Sequence, residues 1–86
     1  MQPGDPRADP AIVDLIELAG LWVAAGDWGA LARTLQRLNE QLETRFPDEA
    51  EFAERFRALQ RVVDTANGGA ARAEEIRRTY RQATVG

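Results

Sequence analysis

From residue 10 onward, apolar positions recur every three or four residues, the period at which one side of an α-helix repeats. Asp9-Pro10 reads as a helix N-cap followed by proline at the first helical position, so the first helix is expected over about 10–25. Its polar positions, Asp14 and Glu17, lie three apart on one narrow face, while Ile12, Val13, Leu15, Ile16, Leu18, Leu21, Trp22 and Val23 make the rest apolar. A surface helix normally carries a single apolar stripe. This one must have both flanks covered within the fold, or have one flank that waits for a partner. Gly26 supplies a C-cap and Asp27 the next N-cap, a link short enough to demand an antiparallel hairpin. The second helix is expected over 28–46. Its apolar positions Trp28, Leu31, Leu35, Leu38 and Leu42 are spaced 3-4-3-4, the spacing of a heptad seam, and Pro47 ends it.

Asp48-Glu49-Ala50-Glu51 resembles a capping box with Asp in place of Ser or Thr. Phe52, Phe56, Leu59, Val63 and Ala66 follow at 4-3-4-3, and the phase runs on through Ala70 and Ala73, past Arg77, to Tyr80. Asn67-Gly68-Gly69 would ordinarily be a stop. Because the phase survives it, the favoured reading is one long helix over 49–83, weakened by roughly 1 kcal/mol at each glycine. The alternative is a break at Gly68-Gly69 that gives a short fourth helix. The expected fold is all-α: a flexible lead-in over 1–9 and one helical domain over 10–86, an antiparallel hairpin or bundle of three helices.

Composition narrows the chemistry. The 86 residues contain 15 Ala and 11 Arg but no Lys, Cys, His or Ser. This excludes a disulfide, a Cys/His zinc site, a Ser or Cys nucleophile, an imidazole base and a Schiff-base lysine. The neighbouring carboxylates Asp14/Glu17 and Glu74/Glu75 read as solvated acids, since acid–base work needs a shared desolvated cleft. No enzyme activity, cofactor or metal is expected. The net charge of −3 hides a gradient: residues 1–27 carry five acids against Arg7, whereas residues 68–86 carry four arginines against Glu74 and Glu75. Those cations complement the negative end of a last helix, so nucleic acid is not favoured as a partner. The opening residues do not form a secretory signal, and 11–25 is too short and too interrupted to span a bilayer. A cytoplasmic protein is the expectation.

Trp22 and Trp28 are expected to clamp the hairpin corner, with Phe52 and Phe56 in the core. The pairs Glu51–Arg55 and Glu74–Arg78 are expected on solvated faces. Beside the main seam of the third helix runs a second stripe, Ala58, Val62, Thr65, Gly69 and Ile76, next to Tyr80. It is either covered by the first helix or forms a shallow groove that another helix fills.

The section Leu15-Ile16-Glu17-Leu18-Ala19, followed by the corner Ala25-Gly26-Asp27-Trp28-Gly29-Ala30-Leu31, resembles the flagellar export chaperones of the FliT type, in which a Gly-acid-Trp turn joins the early helices and a long third helix packs back along them. The resemblance covers roughly 12–83. It implies a cytoplasmic chaperone of the flagellar type III secretion system that binds the C-terminal segment of the filament-cap protein and delivers it to the export apparatus. Some members also bind a transcriptional regulator. The further C-terminal helix that covers the binding surface in that family would here be missing, short, or formed by 70–83 folding back. On the stripe argument, Val62, Ile76 and Tyr80 would face the client, with Arg72 and Arg77 at the rim. The competing readings are a homo-oligomeric coiled coil, for which a homodimer is the partner, and a small helical regulator of a transcription factor.

Overall fold

Helix α1 spans Pro10–Ala25, and both of its ends are set by local chemistry. The Asp9 carboxylate accepts hydrogen bonds from the Ala11 and Ile12 N–H groups at 3.0 and 3.4 Å, and Pro10 follows at the first position. At the other end Gly26 adopts φ 71°, the left-handed conformation that costs glycine nothing. The Asp27 N–H then closes back on the Trp22 carbonyl at 3.0 Å. Asp27 at once caps α2, Trp28–Arg45, by accepting from the Ala30 N–H at 3.0 Å. One residue therefore ends one helix and starts the next, and the chain reverses with almost no connecting loop.

The computed structural model of the chain describes residues 8–65 and 69–85. The expected lead-in over 1–9 lies outside them up to residue 7, as does Asn67-Gly68. Within them the chain forms four α-helices, α1 and α2 followed by α3, Ala50–Thr65, and α4, Ala70–Val85. The all-α expectation holds; the three-helix count does not. The stretch expected as one helix over 49–83 is two helices of 16 residues each, and α4 is no shorter than α3. Arg55 and Ala58 near the start of α3 share a cleft with Thr79, Gln82 and Ala83 near the end of α4, so α4 runs antiparallel to α3. It also packs on α1, which closes an up-down-up-down bundle.

The periodicity misled for a physical reason. Both helices bury a strip with helical period against one core, so the period survives whether or not the helix does. The strips differ in phase, however. The expected seam on α4 passes through Arg77, whereas the covered positions are Ala73, Ile76, Tyr80 and Ala83. An arginine in a seam position was the sign that the register had changed. The capping box at Asp48 is also absent: α3 begins on the Glu49 carbonyl, which accepts the Ala53 N–H at 3.1 Å, and Glu51 pairs instead with Arg55 at 3.2 Å.

The core is a single cluster. Leu31, Leu35, Leu38 and Leu42 of α2 are fully buried, as the heptad seam requires, against Ile12 of α1, Phe56 and Leu59 of α3, and Ile76 of α4. The Phe52 and Phe56 rings meet at 5.2 Å between centroids, and Trp22 and Trp28 pack partly buried at the corner. Polar links fix which helices pair. Asn39 of α2 donates to the Gln60 Oε1 of α3 at 3.2 Å, and Arg57 of α3 bridges to Glu43 of α2. The Asp9 cap is also held from α2, since Arg45 donates both terminal nitrogens to it at 3.2 and 2.6 Å. Asp9 thus caps α1 and ties the open end of the α1–α2 hairpin.

Asp9→Ala removes a cap worth about 1 kcal/mol and a partly exposed bidentate ion pair worth up to about 1 kcal/mol. Urea unfolding should therefore show a loss of about 1–2 kcal/mol. Asp9→Asn keeps a capping oxygen and should lose less than half as much; equal losses for the two variants would assign the whole effect to the ion pair.

Candidate functional site

The five residues expected to meet a client do not form one surface. Ile76 is fully buried in the core, because α4 folds back and turns the flank of the expected helix inward. Val62 is half-buried and packs against the same cluster. Arg72 is exposed and pairs with Glu75 at 3.3 Å. Arg77 approaches Glu74 at 3.9 Å, the partner expected for Arg78. Only Arg77 and Tyr80 come together. With Gly20, Val23, Arg81 and Thr84 they line an open cleft of about 360 Å³ between α1 and α4. Of the strip proposed as a groove on the third helix, Ile76 is buried and Ala58 and Val62 are half-buried, while Thr65 and Gly69 stay exposed.

Tyr80 instead locks α4 onto α1. Its hydroxyl donates to the Ile16 carbonyl at 2.7 Å, reaching past Gly20. A Cβ at Gly20 would lie 2.9 Å from that hydroxyl oxygen, so the absent side chain is what lets a phenol touch helix backbone. Burial pushes the Tyr80 phenol above its ordinary value, and the nearby Glu17 carboxylate adds to the shift. Both effects disfavour the phenolate, as does its loss of the donor to Ile16.

The surface of α1 away from the core is the least covered apolar face of the molecule. Leu18 and Leu21, 37% and 64% exposed, are the exposed large apolar side chains among the described residues. Leu18 opens into a trough of about 280 Å³ whose other walls are Leu15, Trp22 and Ala30, with Arg33 and Arg37 of α2 along its edge. The floor is already used up in packing: Thr34, which also lines the trough, is buried and returns its hydroxyl proton to the Ala30 carbonyl at 2.9 Å. Arg33 and Arg37 are both exposed. Neither makes an ion pair among the described residues, whereas Arg45, Arg55, Arg57 and Arg61 all do. The apolar breadth of α1 left two outcomes open, both flanks covered or one left for a partner; both flanks are met by neighbours, and what stays exposed is the outer line of Leu18 and Leu21.

Among the described residues no three acidic side chains converge as a metal site, and no helix is long and apolar enough to cross a membrane. No protein family, curated protein or solved structure matches the chain.

Two outcomes check this arrangement. Ile76→Ala should cost about 2–5 kcal/mol in urea unfolding, the range for a fully buried aliphatic side chain, whereas a surface role predicts under 0.5 kcal/mol. The phenol is the single tyrosine of the chain, so its ultraviolet titration reads Tyr80 alone. Its midpoint should lie above the ordinary value near 10 in the folded protein and return to it in denaturant. A raised folded value means the stability it contributes is complete below the ordinary range and is lost as pH climbs through the raised one. Tyr80→Phe should abolish that high-pH loss.

Proposed function

We propose that the protein is a helical binding module that holds an amphipathic segment of another protein on the exposed face of α1. The observation that carries this reading is the exposure of Leu18 and Leu21 beside the Trp22 trough, in a chain small enough that leaving leucines in water is a real cost. Covering a leucine of this exposure contributes on the order of 1–2 kcal/mol. A partner helix that seats its own apolar side chains in the trough gains that for each leucine, the helix-in-groove mode of recognition. Trp22 supplies a large rigid wall of the kind that dominates binding energy at protein contacts.

The resemblance of the Gly26-Asp27-Trp28 corner to FliT-type chaperones supplies the specific form of the reading. The partner would then be the C-terminal segment of a filament-cap protein, kept unassembled in the cytoplasm and passed to the export apparatus. The contact surface differs from the one expected on the third helix. Ile76 and Tyr80 are engaged in holding α4, so the client meets α1 and the α2 edge, with the α1–α4 cleft at its far side.

The test is a calorimetric titration with the C-terminal segment of the filament-cap protein from the same organism, paired with the variant Leu18→Asp/Leu21→Asp. Both leucines are exposed, so the variant should retain its circular dichroism and unfold within about 1 kcal/mol of the parent. Micromolar binding by the parent, weakened at least about tenfold in the variant, is the expected result. Unchanged affinity in the variant would move the site off α1, and absence of heat with a folded parent would remove the filament-cap client.

A further inference from the structure

The edge of the α1 trough specifies the charge of what fills it. Arg33 and Arg37 stand one turn apart on α2, a like-charge pair at i,i+4 that is unfavourable when left alone. Among the described residues no acidic side chain pairs with either: Glu40 lies one turn beyond Arg37 on the same helix yet makes no ion pair with it. Across the trough, the face of α1 that carries Leu18 and Leu21 also carries the exposed acids Asp14 and Glu17. The exposed leucines therefore lie between the cationic edge on α2 and Glu17 on their far side, with Asp14 one turn before Leu18 on the leucine line itself, in a chain whose overall charge is negative.

We infer that this surface takes an α-helix of a partner protein whose apolar stripe is flanked by acidic residues on one side only. The acids meet Arg33 and Arg37, the apolar stripe covers Leu18 and Leu21, and the opposite flank, facing Glu17, carries no negative charge. Two opposite edges fix the direction in which the helix lies, because turning it end for end places acid against acid. An anionic lipid surface fits less well, since Asp14 and Glu17 would face it beside the very leucines that would have to insert. The inference rests on the binding-module reading and adds the partner's charge pattern to it.

The experiment uses two synthetic amphipathic peptides of roughly 15 residues, about four helical turns. They share one leucine stripe and differ at one flank, Glu in the first and Lys in the second. Each is titrated calorimetrically into the full chain and into Arg33→Glu/Arg37→Glu, whose altered positions are exposed and unpaired. The Glu peptide should bind the parent at least about tenfold tighter than the Lys peptide, with the preference reversed in the variant and compressed at high salt, as for partly exposed charges. Equal affinities, or a preference that survives the charge reversal, would overturn the inference while leaving an apolar binding face intact. Failure of both peptides to bind the folded parent overturns it too, and the filament-cap titration then decides the broader reading separately. Sedimentation across a dilution series supplies the remaining arm: a dimer that Leu21→Asp dissolves would assign the face to a second copy of the chain and overturn the inference.

Discussion

A helix with two polar positions in sixteen residues has more apolar surface than one buried stripe can cover. Helix α1 has that composition, and the rest of the molecule is arranged around it. Its inner residues Ile12, Ala19 and Val23 enter the core. One flank, Leu15 and Trp22, leans toward α2; the other, Ile16 and Gly20, is met by Tyr80 of α4. Had the chain continued as a single long helix beyond Thr65, α4 could not have returned to α1 and that second flank would have been bare. The apolar breadth of α1 and the reversal between α3 and α4 are two aspects of one packing requirement. What neither neighbour reaches is the outer line of Leu18 and Leu21.

The parts of this fold that were legible in the sequence are those decided within one helical turn. The boundaries of α1 follow from Asp9-Pro10 and Gly26, and the α1–α2 corner from Gly26-Asp27, because capping joins residues two to four apart. The four fully buried leucines of α2 follow from the heptad spacing, which does not mark Ala30, Thr34 and Asn39 as buried and places on the seam a Trp28 that is only half-buried. The break before α4 was not legible in the same way. Periodicity reports that a segment has a covered side and is silent on what covers it, so two helices on one core and one helix on that core leave nearly the same pattern. Polar links between distant segments escaped altogether. Arg45 reaches Asp9 across 36 positions, and Tyr80 reaches Ile16 across 64. The site fared likewise: the breadth of α1 left open whether both of its flanks would be covered, and Ile76 moved from expected surface to core because of the course of α4.

The arginines show how a chain without lysine distributes its cations. Most of those on α2 and α3 are placed against carboxylates of the same or the adjacent helix, which fixes orientation more than it stabilises, since exposed pairs contribute tenths of a kcal/mol. Arg57 is the clearest case, joined to Glu43 on α2 and Glu54 on α3. Arg33 and Arg37 lack such a partner among the described residues, as do Arg78 and Arg81 on α4. Arg33 and Arg37 line the trough beside Leu18 and Trp22.

If the protein binds a partner as proposed, the α1 face costs less to use than the strip that includes Ile76. To use the strip, a partner must first displace α4, which exposes Ile76, a loss of about 1.5–3 kcal/mol in transfer terms, and breaks the Tyr80 hydrogen bond, about 1 kcal/mol more. Together these amount to two or three powers of ten in affinity before any new contact is made, set against about 8 kcal/mol for micromolar binding. The α1 face carries no such penalty. Its helix is held on both flanks and capped at both ends, so the surface is ordered before the partner arrives, and the binding energy of Leu18, Leu21 and Trp22 is not spent on rearrangement. On the proposed reading, a bundle this small would keep stability and binding compatible by placing the contact surface on a helix that packing has already fixed from both sides.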